Sequence, residues 1–123
     1  MKVSRISRAN AIQIIEGNLP ETHEVVIKFY GSNCHLCHAL KPHFVQLAGE
    51  TEGVYFYAFN MDDGEGFENR YGFSGVPSIC FVRTGGKKPY VRFLKDPANP
   101  HPETWFTSDE IKSFIKEQRS KSA

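Results

Sequence analysis

Apolar residues recur along the chain in two kinds of pattern, and each pattern predicts a different element. Short runs rich in β-branched and aromatic residues, bounded by turn residues, are typical of strands. Four such runs predict strands over residues 25–30, 54–59, 78–83 and 89–94. The last two flank the turn sequence Thr-Gly-Gly-Lys at 84–87, so we expect them to form an antiparallel hairpin.

Other segments carry an apolar stripe at helical spacing and predict four helices. They cover residues 7–16, residues 34–50, a short stretch that ends near 71–72, and a last helix that begins near 107. Ser7 can cap the first helix, and Thr107 with Glu110 offers a capping box for the last one. Pro42 falls inside the second helix and predicts a kink there. Residues 95–106 hold three prolines and predict an irregular loop.

In chain order the predicted elements are helix, strand, helix, strand, helix, then a strand hairpin and a final helix. Alternation of strands and helices favours parallel pairing, whereas the hairpin adds antiparallel strands. We therefore predict a single α/β domain over residues 1–123, in which helices flank both faces of a central mixed sheet.

Composition and charge narrow the classes of function. The chain has 15 Lys and Arg against 14 Asp and Glu, and no basic stripe interleaves with aromatics, so we expect no nucleic-acid partner. No apolar run approaches the ~20 residues of a membrane span, so we expect no membrane partner either. The amino terminus is basic without an apolar centre, unlike a signal peptide, and we expect a cytoplasmic protein and a monomer.

Cys34 and Cys37 are the main candidates for chemistry. They are two residues apart, after a predicted buried strand and at the start of a predicted helix. The unpaired N–H groups and partial positive charge of a helix amino terminus stabilise a thiolate, so the pKa of Cys34 should lie below that of a free thiol. Cys37, one turn further in, should be less exposed. This geometry makes Cys34 the attacking thiolate and Cys37 the resolving thiol, unless the two are unrelated core cysteines.

The stretch 25–42, VVIKFYGSNCHLCHALKP, resembles the active-site segment of the thioredoxin superfamily, and Gly75-Val76-Pro77-Ser78 resembles that family's cis-proline loop. The resemblance implies a thioredoxin-like α/β fold and exchange of disulfides with protein substrates. It also implies that Val76 and Pro77 hold the substrate backbone. No cofactor is implied, because electrons would pass through an upstream dithiol reductase or oxidase.

Two residues depart from the family's pattern and are expected to set the pKa of the thiols. The position six residues before the first cysteine, often a buried acid in the family, is Lys28. If charged, Lys28 would stabilise thiolates; alternatively it snorkels to solvent. The residues between the cysteines are His35 and Leu36, where thioredoxins proper have Gly-Pro. An imidazolium at His35 would make the disulfide more oxidising, or His35 is a solvated surface residue.

Other interpretations of the cysteine cluster remain open. Cys34 to His38 also matches the C-x-x-C-H motif of haem c attachment, and Cys34, Cys37, His38 and His43 supply the ligand types of a zinc site without its full spacing. An iron–sulfur cluster between two subunits is a further option. Cys80, in an apolar strand, is expected to be an inert core thiol.

The direction of exchange is also open, since reductases, oxidases and isomerases share these residues. A second hypothesis comes from another class of protein: a binding module that uses the same groove with little redox turnover. Lys28, the polar Asn33 before the first cysteine and the proline-rich loop keep that hypothesis open.

Overall fold

A computed structural model describes residues 2–121 and contains a five-stranded mixed sheet. The strands are β1 (Val3–Arg5), β2 (Glu24–Tyr30), β3 (Val54–Asn60), β4 (Ser78–Arg83) and β5 (Tyr90–Phe93). Their spatial order is β1-β3-β2-β4-β5, with β1 and β2 parallel to β3 and with β4 antiparallel to both β2 and β5. The predicted mixed sheet is therefore confirmed.

The helices begin and end close to the predicted positions because local capping signals fix their ends. They are α1 (Arg8–Glu16), α2 (His35–Glu50), α3 (Phe67–Tyr71) and α4 (Ser108–Ser120), with a 3₁₀ turn at Met61–Asp63. Ser7 accepts a hydrogen bond from the amide of Asn10 at 3.1 Å, and the predicted capping box of Thr107 and Glu110 is formed. Within residues 2–121, no helix combines the length and the hydropathy that crossing a membrane requires.

Two apolar layers hold the helices on opposite faces of the sheet. On one face Leu40 and Phe44 of α2 pack with Ile111 of α4 against the sheet. On the other face Ala11 of α1 and Phe67 of α3 pack against it. Since β2 and β4 are covered on both faces, they are buried along most of their length, and the ends of β2 and β3 become fixed points for the loops that follow.

The predicted element order begins with a helix and is wrong at this point, because the structure has strand β1 before α1. β1 is only three residues long and pairs in parallel with Phe56, Tyr57 and Ala58 of β3. Its burial shows no alternation, because it lies at the edge of the sheet with two of its residues exposed. A strand that depends on hydrogen bonds to a partner about fifty residues away carries no local signal of its own.

The loop over residues 95–106 is irregular, as predicted, but it is held against the body of the protein. His101 and Trp105 form an isolated antiparallel bridge, and the indole N–H of Trp105 donates to Asp96 at 3.1 Å. The Trp105 ring packs on the α2/α4 side, and Phe106 beside it is 1% exposed. The loop is therefore a packed segment that leads into α4.

Candidate active site

Cys34 lies at the end of the loop that connects strand β2 to helix α2. It is the N-cap of α2 with an extended backbone (φ −96°, ψ 103°), and its Sγ accepts a hydrogen bond from the amide of Cys37 at 3.1 Å. This amide is one of the helix's free N–H groups, so the helix amino terminus is aimed at the Cys34 sulfur. An electron-rich sulfur is stabilised at this position.

Cys34 and Cys37 are joined by a disulfide, with their Cα atoms 5.2 Å apart. The two sulfurs differ in their access to solvent. Cys34 is partly exposed, whereas Cys37 is 2% exposed beneath the first turn of α2. A partner molecule approaching from solvent therefore meets Cys34 first.

The loop that contains Val76 and Pro77 faces the disulfide from the start of β4. The peptide bond between these residues is cis, and the carbonyl oxygen of Val76 lies 3.8 Å from Cys34 Sγ. Gly75, at a φ of 77°, donates its N–H to a carboxylate oxygen of Glu68 at 2.7 Å, and its carbonyl accepts from the Ser78 hydroxyl at 2.8 Å. Both hydrogen bonds hold Gly75, the residue before Val76, and the second also closes the loop across Val76 and Pro77.

A polar network that no sequence motif indicates supports the turn before Cys34. His38 Nε2 lies 2.8 Å from the carbonyl oxygen of Ser32, which requires a proton on that nitrogen. The Ser32 hydroxyl donates to Asp62 at 2.6 Å and accepts from the Asn60 amide at 3.0 Å. Asn60 is the last residue of β3, in register with the end of β2 at Tyr30, and Asp62 lies in the 3₁₀ turn that follows. Because β2 and β3 are parallel and end at the same edge of the sheet, polar residues after the two strands can be expected to meet there.

Lys28 lies in the interior and does not snorkel to solvent from an edge. It sits on central strand β2 between Ala58 of β3 and Ile79 of β4 and is 4% exposed. Its Nζ lies 5.2 Å from the centre of the Phe44 ring and 5.8 Å from that of Tyr30. Desolvation by burial, with a smaller contribution from a neighbouring lysine, lowers the pKa of Lys28 to about 8.

The remaining residues named from the sequence differ in their surroundings. His35, the first residue of α2, is exposed and its imidazole has no hydrogen-bond partner within residues 2–121, while Leu36 is half-buried. Cys80 is a free, buried thiol on β4, and burial raises its pKa. Among the described residues, no group of three or more His, Cys, Asp or Glu side chains is placed to hold a metal ion.

A disulfide at the start of the helix that follows a central strand, faced by a proline loop, places the protein in the class of thioredoxin-like domains. A family model described as Thioredoxin matches residues 6–96, which is well over half of the chain. The chain therefore belongs to the thioredoxin family, and the predicted thioredoxin-like fold is confirmed.

Individual relatives resemble the chain at modest identity. The chain is 31% identical over 80 residues to chloroplastic thioredoxin M4 of Arabidopsis thaliana, covering 64% of this chain and 39% of that protein. It is 33% identical over 72 residues to protein disulfide isomerase-like 2-1 of Oryza sativa subsp. japonica, covering 56% of this chain and 20% of that protein. The chain thus spans less than half the length of these curated relatives.

Among solved structures, the long form of thioredoxin f from spinach chloroplast superimposes with a TM-score of 0.69. The match covers 97% of this chain and 88% of that one at 18% sequence identity. This likeness shows the shared fold.

Proposed function

We propose that the protein is a thiol–disulfide oxidoreductase that acts on protein disulfides. One observation carries the proposal: a partly exposed Cys34 sulfur accepts the Cys37 amide and is joined to a buried Cys37 sulfur. Membership of the thioredoxin family supports the same chemistry.

Cys34 is the attacking thiol in this proposal. Its sulfur is the more accessible of the pair and lies at the amino terminus of α2, where the Cys37 N–H and the helix dipole favour a thiolate. Cys37 cannot be reached from solvent in the same way, so it acts as the resolving thiol.

In the reducing direction the Cys34 thiolate attacks one sulfur of a substrate disulfide. A Cys34–substrate S–S bond forms, the substrate S–S bond breaks, and the second substrate sulfur leaves as a thiolate. Cys37, after losing its proton, attacks Cys34 Sγ and releases the first substrate sulfur. Two electrons pass to the substrate, and the Cys34–Cys37 disulfide is left for an upstream dithiol to reduce. An oxidase would run the same steps in reverse.

Val76 and Pro77 hold the substrate chain beside the disulfide. The Val76 carbonyl is 3.8 Å from Cys34 Sγ, and Glu68 and Ser78 fix the residue that precedes it. An extended substrate segment can align its backbone with that of Val76, which places its own sulfur in line with Cys34.

Lys28 and His35 set the electrostatics of the pair from opposite sides. Lys28 is an ammonium behind Cys37 at neutral pH, given a pKa of about 8, and His35 adds positive charge at the surface when protonated. Positive charge stabilises the reduced, thiolate form more than the disulfide. Both residues should therefore make the protein more oxidising than it would be without them.

The proposal is tested by the turnover of a protein disulfide with dithiothreitol as electron donor. We expect Cys34→Ser to lose turnover, Cys37→Ser to accumulate a mixed disulfide through Cys34, and Cys80→Ala to retain turnover. If the native rate is no higher than that of Cys34→Ser, the proposed enzymatic function is rejected. Binding of protein partners that survives Cys34→Ser would then support the binding-module hypothesis.

A further inference from the structure

A cavity of about 190 Å³ lies behind the disulfide, and cationic side chains dominate its polar lining. Lys28 and Cys37 contribute to its wall together with Arg5, His38, Lys41 and the ring of Phe44. No Asp or Glu lines the cavity among the described residues. The pocket therefore carries a positive charge that the protein does not neutralise locally.

Lys28 is the buried residue among the cationic residues that line the cavity. It is 4% exposed, and its register neighbours Ala58 and Ile79 have no polar side-chain atoms. Within residues 2–121, Lys28 Nζ has neither a hydrogen bond nor an ion pair; its neighbours are the faces of the Phe44 and Tyr30 rings. An ammonium in a largely apolar cavity wall without a counter-charge is unfavourable, and an anion supplied from outside would relieve it.

The exposed cations stand at the mouth of the cavity. Lys41 follows Cys37 by one turn on α2, and Arg5 is on edge strand β1; both are exposed. The charge of Lys41 is close enough to Lys28 to disfavour its protonated form. An anion between the two ammonium groups would replace this repulsion with two attractions, and the exposed cations would steer it inward.

We propose that this cavity is a binding site for a small oxyanion of the size of phosphate. Lys28 Nζ is the contact at its base, and Lys41 and Arg5 are the contacts at its mouth. The disulfide form is the binding form, because the Cys37 sulfur in the cavity wall is then uncharged and does not compete for Lys28.

The test uses inorganic phosphate and the full oxidised chain. Calorimetric titration with sodium phosphate at pH 7 is compared with sodium chloride at equal ionic strength. Backbone NMR shifts locate the site through the amides of Ala58 and Ile79, which flank Lys28. We expect saturable phosphate binding, with shifts at these two amides that chloride does not cause.

Variants then assign the binding to the named residues. Lys28→Met keeps an unbranched side chain, one atom shorter, without the charge. Lys41→Gln removes a mouth cation, and Lys87→Gln is a matched control on the exposed β4–β5 turn. We expect phosphate affinity to fall about tenfold or more in the first two variants and to stay unchanged in the control.

Two results would contradict the proposed anion-binding site. One is a phosphate titration no different from the chloride titration. The other is binding of equal strength in native protein, Lys28→Met and Lys41→Gln, which would indicate an adventitious ion only. If circular dichroism shows that Lys28→Met does not fold, the combined variant Arg5→Gln with Lys41→Gln decides between the same two results.

Discussion

Lys28 and Cys37 line the same cavity behind the disulfide, and both residues are almost completely removed from solvent, at 4% and 2% exposed. The first is a base on the central strand, and the second is the sulfur that must lose a proton during exchange in the proposed reaction. The charge behind the resolving cysteine is therefore positive, in contrast to the buried acid that often occupies this position in the family. This relationship should affect both the redox potential and the stability of the protein.

Replacing Lys28 by Met should make the protein more reducing. Loss of a nearby positive charge destabilises the thiolates more than the disulfide, so the potential should become more negative by on the order of 30 mV, about 1.4 kcal/mol for two electrons. Equilibration with a glutathione buffer measures the shift, and Lys87→Met is the control. A potential that is unchanged, or that moves in the positive direction, would contradict the electrostatic role of Lys28.

Stability should depend on pH through Lys28. Its pKa is about 8 in the folded protein, below the value of 10.5 that is ordinary for a lysine. Between these two pH values the unfolded chain binds more protons than the folded one, so this group makes stability rise with pH. Below pH 8 the full destabilising effect of the buried ammonium is present.

The comparison that isolates this effect is the free energy of unfolding of the oxidised native protein minus that of Lys28→Met. The difference cancels groups common to both, such as Tyr71, whose raised pKa acts in the opposite direction at high pH. In urea titrations at pH 7, 9 and 10.5, the free energy of unfolding of Lys28→Met should exceed that of the native protein by most at pH 7. The excess should become progressively smaller above pH 8. A difference that is constant across this range would show that the buried lysine does not titrate there.

Glu68 should matter for protein substrates because it fixes the loop that holds Val76. Its carboxylate accepts the Gly75 N–H at 2.7 Å, and Glu68→Ala removes that hydrogen bond. We expect kcat/KM for a protein disulfide to fall about three- to tenfold, with a smaller effect on a small aromatic disulfide that does not use the loop. Glu65→Ala is the exposed control. Equal losses with both substrates would place the effect on Cys34 and not on the loop.

Gly85 should be required for stability and not for chemistry. Its φ is +94°, and a Cβ there would lie 2.8 Å from both the Cα and the N of Thr22, as well as against the Thr22 hydroxyl. Gly85→Ala should therefore destabilise the fold by about 2 kcal/mol, with disulfide turnover retained at 25 °C. Gly86→Ala, where the nearest atom would be 3.3 Å away, is the matched control for thermal or urea unfolding. Equal unfolding midpoints for the two variants would refute this explanation.

Much of the fold could be predicted from the sequence because its signals are local. Ser7 and Thr107 cap helices through side chains within three residues of their targets, and strand β4 was predicted with the bounds Ser78–Arg83 that the structure shows. Strand β1 could not be predicted in the same way. Three residues at an edge contribute little apolar pattern, and their pairing with β3 is decided by long-range contact.

In the candidate site too, local features could be predicted from the sequence and long-range contacts could not. The sequence by itself determined that Cys34 starts a helix three residues before Cys37, since spacing and flanking pattern are properties of one continuous segment. Only the tertiary structure decided what surrounds that pair: the Val76 carbonyl 42 residues away, the Ser32–Asn60–Asp62 network, and the burial of Lys28. The physical reason is strand order. Because β2 lies between β3 and β4, a lysine that could have reached solvent from an edge strand is enclosed behind Cys37 with no carboxylate in register beside it.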